Sequence, residues 1–361
     1  MTLILNNDEI DQILDMKLCL NILEDLYREY GSGRTVDIPR CDAVVPSELP
    51  DLVYGLKTMS GCVPYVGKAA IRLNSDTIYH PTIDGIQRRV KVPAASGQKW
   101  VGMVLLFDIA NGEPVAIFPD GMIQRMRVGA TSGLAAKYLS RDDSKILALI
   151  GSGWQASGQI MALCEVRKLE EVRVYSPNAD RRQSFCKEME PHVKVKMIPV
   201  ASADEAVRGA DIIAAGTSSM VPVLKKEWLK PGIHVSSIKK QEISWEVISG
   251  CDLFFLHTNR IFTQTNYFME SDKDPNPEVK KGWWSGRQEE MLVKKVFPDM
   301  GDLWSGKVPG RTKADQITGF LNNVGLGIQF AAVGAKVYDI ALEKGLGRTI
   351  PTDWFLQTVH P

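Results

Sequence analysis

Several chemistries are missing from this 361-residue chain. Its six cysteines (Cys19, Cys41, Cys62, Cys164, Cys186 and Cys251) form no CxxC pair. That spacing argues against a disulfide framework and a structural zinc site, and fits a reducing compartment. The five histidines, His80, His192, His234, His257 and His360, form no HxH or HxxxH pair, so no metal site is expected. No GxSxG marks a hydrolase nucleophile. Lys plus Arg equals Asp plus Glu at 43 each, so neither nucleic acid nor an anionic membrane is expected as a main partner. No apolar run approaches the roughly 20 residues of a membrane span. The acidic start "MTLILNNDEIDQIL" does not read as a signal peptide. The expectation is a cytoplasmic enzyme.

What is present falls into two patterns. In "DMKLCLNILEDLYREYGSG", Leu18, Ile22, Leu26 and Tyr30 share a helical face, and Gly31 reads as its stop. Short strands follow in "DAVVP", "LVYGLKTM", "GKAAIRL", "KWVGMVLLFD" and "EPVAIFPDG", with "IANGEP" as a hairpin turn. A meander without alternating helices predicts a largely antiparallel or mixed sheet. After the helix "RMRVGATSGLAAKYLSR" the pattern changes. "KILALI", "EVRVYS", "VKVKMIPV", "DIIAAGTSS" and "GIHVSSI" alternate with helices, which predicts a parallel, doubly wound sheet. Residues 263–309 read as an excursion with some helix, and a long apolar helix closes the chain.

The second pattern carries a glycine loop, "KILALIGSGWQASGQIMAL", starting at Lys145. A GxGxxA sequence alone is weak, but this one follows a strand and opens a helix inside a βαβ unit. Gly151 permits the tight turn and Gly153 lets a pyrophosphate approach the backbone. Ala156 allows close helix–strand packing, while Trp154 and Gln155 begin the helix whose free N–H groups face the phosphates. An NAD site usually places an acid at the end of the next strand. Here "VRVYSPNADRR" has Ser176, then Asn178, Arg181 and Arg182, and guanidinium suits a 2′-phosphate. NADP is the expected cofactor, with NAD as the alternative.

With "RMRVGATSGLAAKYLSRDDSKILALIGSGWQA", "GADIIAAGTSSMVPVL" and "PGRTKADQITGFLNNVGLGIQ" in order, the chain resembles the ornithine cyclodeaminase/mu-crystallin family. The resemblance implies an α/β architecture of two domains. A Rossmann-type domain spans 129–314. An α+β substrate and dimerisation domain combines 1–128 with 315–361. It also implies a cleft between them, a homodimer, and Thr217 and Ser218 near the nicotinamide. The family binds an amino or imino acid carboxylate with two Arg and a Lys. Arg40 in "VDIPRCDAVV", Lys68 in "VGKAAIRLNSD" and Arg127 in "QRMRVGA" match, with Lys57 in "GLKTM" a rival to Lys68. A guanidinium fork pairs bidentately with a carboxylate, and a lysine near other cations can supply a proton. Lys68 is therefore the expected catalytic residue.

The chain departs from the family after "GIHVSSI". The cyclodeaminases carry a catalytic Asp there, whereas this chain reads "KKQEISWEVI", with Lys239 and Lys240 in its place and Glu242 as a structural acid. Lys239 is a candidate for a second substrate carboxylate. Asn322 and Asn323 are candidate pocket residues, and Trp283 and Trp284 are expected to pack. The expected activity is NAD(P)-dependent reduction of an imino acid, or its reverse. The alternatives are a cyclodeaminase and an NADPH-binding crystallin-like protein.

Overall fold

The computed structural model of the chain describes residues 1–49, 51–259, 264–267 and 297–359. The strands Val53–Val63 and Lys68–Tyr79 alternate buried and more exposed positions along their length. Period-two burial is what a strand shows when one face is covered. These two strands pair in an antiparallel register from Val53 opposite Ile78 to Val63 opposite Lys68. Val36–Pro46 flanks one side, and Val101–Asp108 and Pro114–Pro119 the other. The last two form the expected hairpin over "IANGEP". Parallel pairings add Thr2–Ile4 at one end and Gln264–Tyr267 at the other, so the sheet is mixed.

Three helices supply the apolar core of this sheet: Met16–Gly31, Gly121–Leu139 and Gly327–Lys344. Asp15 caps the first, accepting from Leu18 N at 2.7 Å. Its buried face is Cys19, Leu23, Leu26, Tyr27 and Tyr30, while Leu18 and Ile22 lie at the edge. The expected row is therefore rotated. The tyrosine hydroxyls turn the face inward, because Tyr27 and Tyr30 find buried partners in Thr131, His257 and Thr258.

The second sheet is wholly parallel. Its order is Lys196–Pro199, Glu171–Tyr175, Ile146–Ile150, Ile212–Ala215, His234–Ser237, Thr318–Leu321, Leu253–Leu256. The order reverses between Ile146–Ile150 and Ile212–Ala215, the switch point where open α/β sheets bind ligands. Thr318–Leu321 belongs to this sheet, so the chain leaves it after Leu321, a few residues past the expected 315. The closing helix Gly327–Lys344 then returns to the mixed sheet.

The two layers meet where Gly121–Leu139 crosses the helix Trp154–Val166. A Cβ on Gly129 would lie 2.2 Å from Gly158 O, so only glycine allows this approach. Among the described residues, no helix is long and apolar enough to cross a membrane.

Candidate active site

The glycine loop sits at the switch point. Gly151 has φ +123°, and a Cβ there would stand 2.3 Å from Gly216 O of the adjoining strand end. Both facts demand glycine. A Cβ on Gly153 would meet nothing within 4 Å, so the loop is open on the side where a pyrophosphate would approach. Gly153 starts the helix Trp154–Val166 without a side-chain cap, which leaves N–H groups for an anion. Gln155 Oε1 is buried and has no hydrogen-bond partner among the described residues. Ala156 is fully buried and its backbone packs at Gly216. Trp154 is half exposed, with the Arg125 guanidinium 4.3 Å above its ring. These features fit a dinucleotide phosphate.

The next strand ends beside this loop. Ser176 accepts from Ser152 Oγ at 2.9 Å and is buried. Asn178 caps the helix Ala179–Val193 by accepting from Arg181 N at 2.7 Å. Arg181 pairs with Glu188 on its own helix. Arg182 curls back, donating to Ser176 O at 2.8 Å. Arg182 thus covers the strand end, while Arg181 is turned along the helix.

On the other side of the switch point, Glu242 is fully buried and holds the loop that follows Ile212–Ala215. It accepts from Thr217 N, from Ser237 Oγ at 2.9 Å and from Ile238 N at 3.3 Å. Lys239 Nζ donates to Ser219 O at 2.6 Å. Burial, with the charges of Arg89 and Arg88, pulls Lys239 down to about 8 against the pull of Glu242. The 80–92 segment crosses from the mixed sheet to this loop. Arg89 N donates to Ser218 O at 3.2 Å, Met220 N to Gln87 O at 3.0 Å, and Arg88 Nη1 to Ser218 Oγ at 3.4 Å.

The mixed sheet and the helix Gly121–Leu139 packed on it contribute the part-buried Arg40 and the buried Arg72 and Arg127. Arg40 makes a fork to Asp42, both bonds 2.7 Å. Arg72 pairs with Asp120 at 2.7 Å and contacts Asn74. Arg127 is buried, and among the described residues its one side-chain hydrogen bond is from Nη1 to Gln329 Oε1, at 3.1 Å. Among the described residues no carboxylate pairs with Arg127. Arg72 and Arg127 both lie over the Phe330 ring, at 5.6 and 5.1 Å. Burial pushes Arg127 down to about 9, reinforced by the charge of Arg72.

A buried polar network fixes that guanidinium. Gln329 Nε2 donates to Tyr27 Oη at 3.0 Å and to Thr131 Oγ1 at 2.8 Å. Burial lowers His257 to about 3, so the ring is neutral. Its Nδ1 is 2.5 Å from the Val324 carbonyl and must donate there. His257 Nε2 then accepts from Tyr27 Oη at 2.8 Å.

The charge of Arg40 lowers both Arg127 and Arg89, and the charge of Arg89 lowers Lys239. Lys68 is placed apart, at the start of its strand, with Nζ 3.0 Å from Asp108 Oδ2. Asn322 donates to Val128 O, and Asn323 spans Thr258, so both tie loops together. Trp283 and Trp284 lie outside the described residues. Arg72, Arg89, Asp76 and Asp120 are additional charged groups that the motif reading passed over. In "KAAIRLNSD" every second residue from Ala70 is buried in the structure, so Arg72, Asn74 and Asp76 share one inward face, which the sequence alone does not reveal.

A glycine turn at a doubly wound switch point defines a dinucleotide-binding protein, and a second sheet with the helix packed on it adds a group of charged side chains. The chain belongs to the ornithine cyclodeaminase/mu-crystallin family, which matches residues 87–345. It is 29% identical over 260 residues to the Delta(1)-pyrroline-2-carboxylate reductase of Bacillus cereus, covering 70% of this chain and 75% of that protein. Its fold is similar to that of the Thermococcus litoralis Delta(1)-pyrroline-2-carboxylate reductase in complex with NADH and L-proline. The TM-score is 0.76 at 26% identity, covering 97% of this chain and all of that one. An archaeal alanine dehydrogenase dimer with bound NAD is similar too, with TM-score 0.73, 26% identity, and 97% and 99% coverage.

Proposed function

We infer that the protein is an NAD(P)-dependent oxidoreductase of the C–N bond, which reduces an imino acid or dehydrogenates the matching amino acid. The observation that carries this reading is Arg127. A buried guanidinium without a carboxylate is costly, and a ligand carboxylate would relieve it. Relatives named as an imino acid reductase and an alanine dehydrogenase support the same chemistry. When bound, a nicotinamide dinucleotide supplies or accepts the hydride.

In this proposal Gly151, Gly153, Trp154, Gln155 and Ala156 hold the pyrophosphate, and Thr217 and Ser218 border the nicotinamide. Arg127, with Arg40 beside it, fixes the α-carboxylate, which orients the C–N carbon and gains rate by positioning. The 80–92 segment, hydrogen-bonded to Ser218, ties substrate site to cofactor site. The absence of an Asp after His234–Ser237 weighs against cyclodeamination, because Lys239 stands in that region. NADP is the proposed preference, since Ser176 offers no acid to a ribose 2′-hydroxyl and Arg182 lies over it. A cytoplasmic homodimer is the proposed assembly.

The test is absorbance of NADPH and NADH with the purified protein and a panel of cyclic and open-chain imino acids. Oxidation with one of them supports the reading. NADPH binding without turnover, or ammonia release from ornithine with no net cofactor change, sinks it. We further propose that Lys239 receives a second substrate carboxylate. Lys239→Ala should then raise KM for a dicarboxylic imino acid at least about tenfold more than for a monocarboxylic one. Equal effects refute that role.

A further inference from the structure

Arg125 is a cation beside the glycine loop, on the helix Gly121–Leu139 where it packs against Trp154–Val166. That packing has a fixed step. A Cβ on Gly129 would meet Gly158 O at 2.2 Å, and a Cβ on Gly133 would meet the Ala162 Cβ at 2.8 Å. Both partners advance by one helical turn together, so the two helices run in the same direction. One turn back, the seam brings residue 125 to residue 154, and there the Arg125 guanidinium lies 4.3 Å over the Trp154 ring. The Arg125 backbone is fixed as well, because a Cβ on Gly158 would stand 2.5 Å from Arg125 O. A seam of small residues thus ends in a large cation–aromatic pair, near the end where both helices begin.

That end is electrically unfavourable for a cation. A helix presents free N–H groups and a positive dipole end at its N-terminus. Trp154 is the first residue of its helix, which has no side-chain cap. Among the described residues no carboxylate forms an ion pair with Arg125, and its buried Nε has no hydrogen-bond partner. Burial holds Arg125 below its usual range, against a pull from Asp11 that acts only through space. A guanidinium in this setting, beside a positive dipole end, is disfavoured until an anion joins it.

Resting on the dinucleotide reading of the glycine loop, we propose that Arg125 binds the cofactor's pyrophosphate, and that the Trp154 ring holds its guanidinium ready for that contact. The loop and the helix start supply N–H groups. Arg125 adds a full charge and a planar fork of donors, which suits phosphate oxygens. A pyrophosphate carries more negative charge than one helix end, equivalent to about +0.5, can offset. The pair also gives a reason for a large aromatic at Trp154, which is half exposed at the first turn. Because NAD and NADP share the pyrophosphate, Arg125 strengthens both alike. It is separate from the ribose choice at Ser176 and Arg182.

The experiment is titration of the purified protein with NADH and, separately, NADPH, followed by nicotinamide emission at low and high salt. Arg125→Met should weaken both by the same factor, about tenfold or more at low salt. The loss should shrink at high salt, which screens the contact. Trp154→Leu keeps the cation but removes its support, and should weaken both by less. Thermal melting without cofactor is the control for folding. Arg125→Met should hold or raise the melting temperature, because it takes an unpaired cation from a helix start. A loss confined to NADPH would assign Arg125 to the 2′-phosphate and overturn the proposal. Weaker binding that merely follows a lower melting temperature also overturns it, since Arg125 then serves the seam. A wild type that binds neither cofactor overturns this and the dinucleotide reading together. A wild type that binds both, with Arg125→Met binding them equally well, overturns this proposal alone.

Discussion

The parallel sheet and the mixed sheet build their shares of the proposed site by different means. In the parallel sheet the site is backbone: a turn at Gly151, free N–H groups at Trp154–Val166, and a loop held from below by Glu242. In the mixed sheet it is side chains, drawn from Val36–Pro46, Val53–Val63, Lys68–Tyr79, the 80–92 segment and Gly121–Leu139. A backbone site needs few residue types in one contiguous run. A side-chain site needs charges from distant segments to meet, and each must be compensated when buried.

The largest effect should come from breaking the backbone half. Gly151→Ala places a methyl against Gly216 O at a φ that side chains rarely adopt. Strain there costs about 1–3 kcal/mol, so NADH binding, followed by fluorescence titration, should weaken by up to about 100-fold. Unchanged binding would mean that the loop relaxes and the backbone does not set the site.

The side-chain half is tested by two buried arginines with opposite partners. Asp120→Asn strips Arg72 of its carboxylate and should destabilise the fold by about 3–5 kcal/mol, read by denaturant unfolding. Arg127→Met removes a guanidinium that, among the described residues, has no carboxylate to leave behind. Stability should hold or rise, while kcat/KM falls about 100-fold or more with NADH affinity intact. If Arg127→Met is as destabilising as Asp120→Asn, the guanidinium is a structural ion and not a receptor for substrate.

The smallest effect concerns the ribose. Ser176→Asp should shift preference from NADPH toward NADH by about tenfold. No shift would place the 2′-position away from Ser176 and Arg182.

Legibility follows the same division. The glycine loop, its strand and its helix were readable because all their information lies in 19 consecutive residues from Lys145. Arg127 and Arg40, the proposed carboxylate ligands, were singled out through the family pattern. Arg72 and Asp76 in a strand and Asp120 at a helix start were not singled out, because a charged residue there looks like a solvated one until the sheet's covered face is known. The tyrosine face of Met16–Gly31 was partly misjudged for the same reason: hydrophobic spacing does not report where a buried hydroxyl finds its partner.

The sequence by itself determined the two sheet types, the glycine turn and the order of the two sheets along the chain, because these rest on local periodicity and on conformations that only glycine adopts. The tertiary structure alone decided which cations converge. It put Arg127 beside Arg72 over Phe330, left it without a carboxylate among the described residues, and set Lys57 between Asp42 and Asn74. Charge compensation in a buried cleft is a sum over groups far apart in the chain, and only folding brings the members of that sum together.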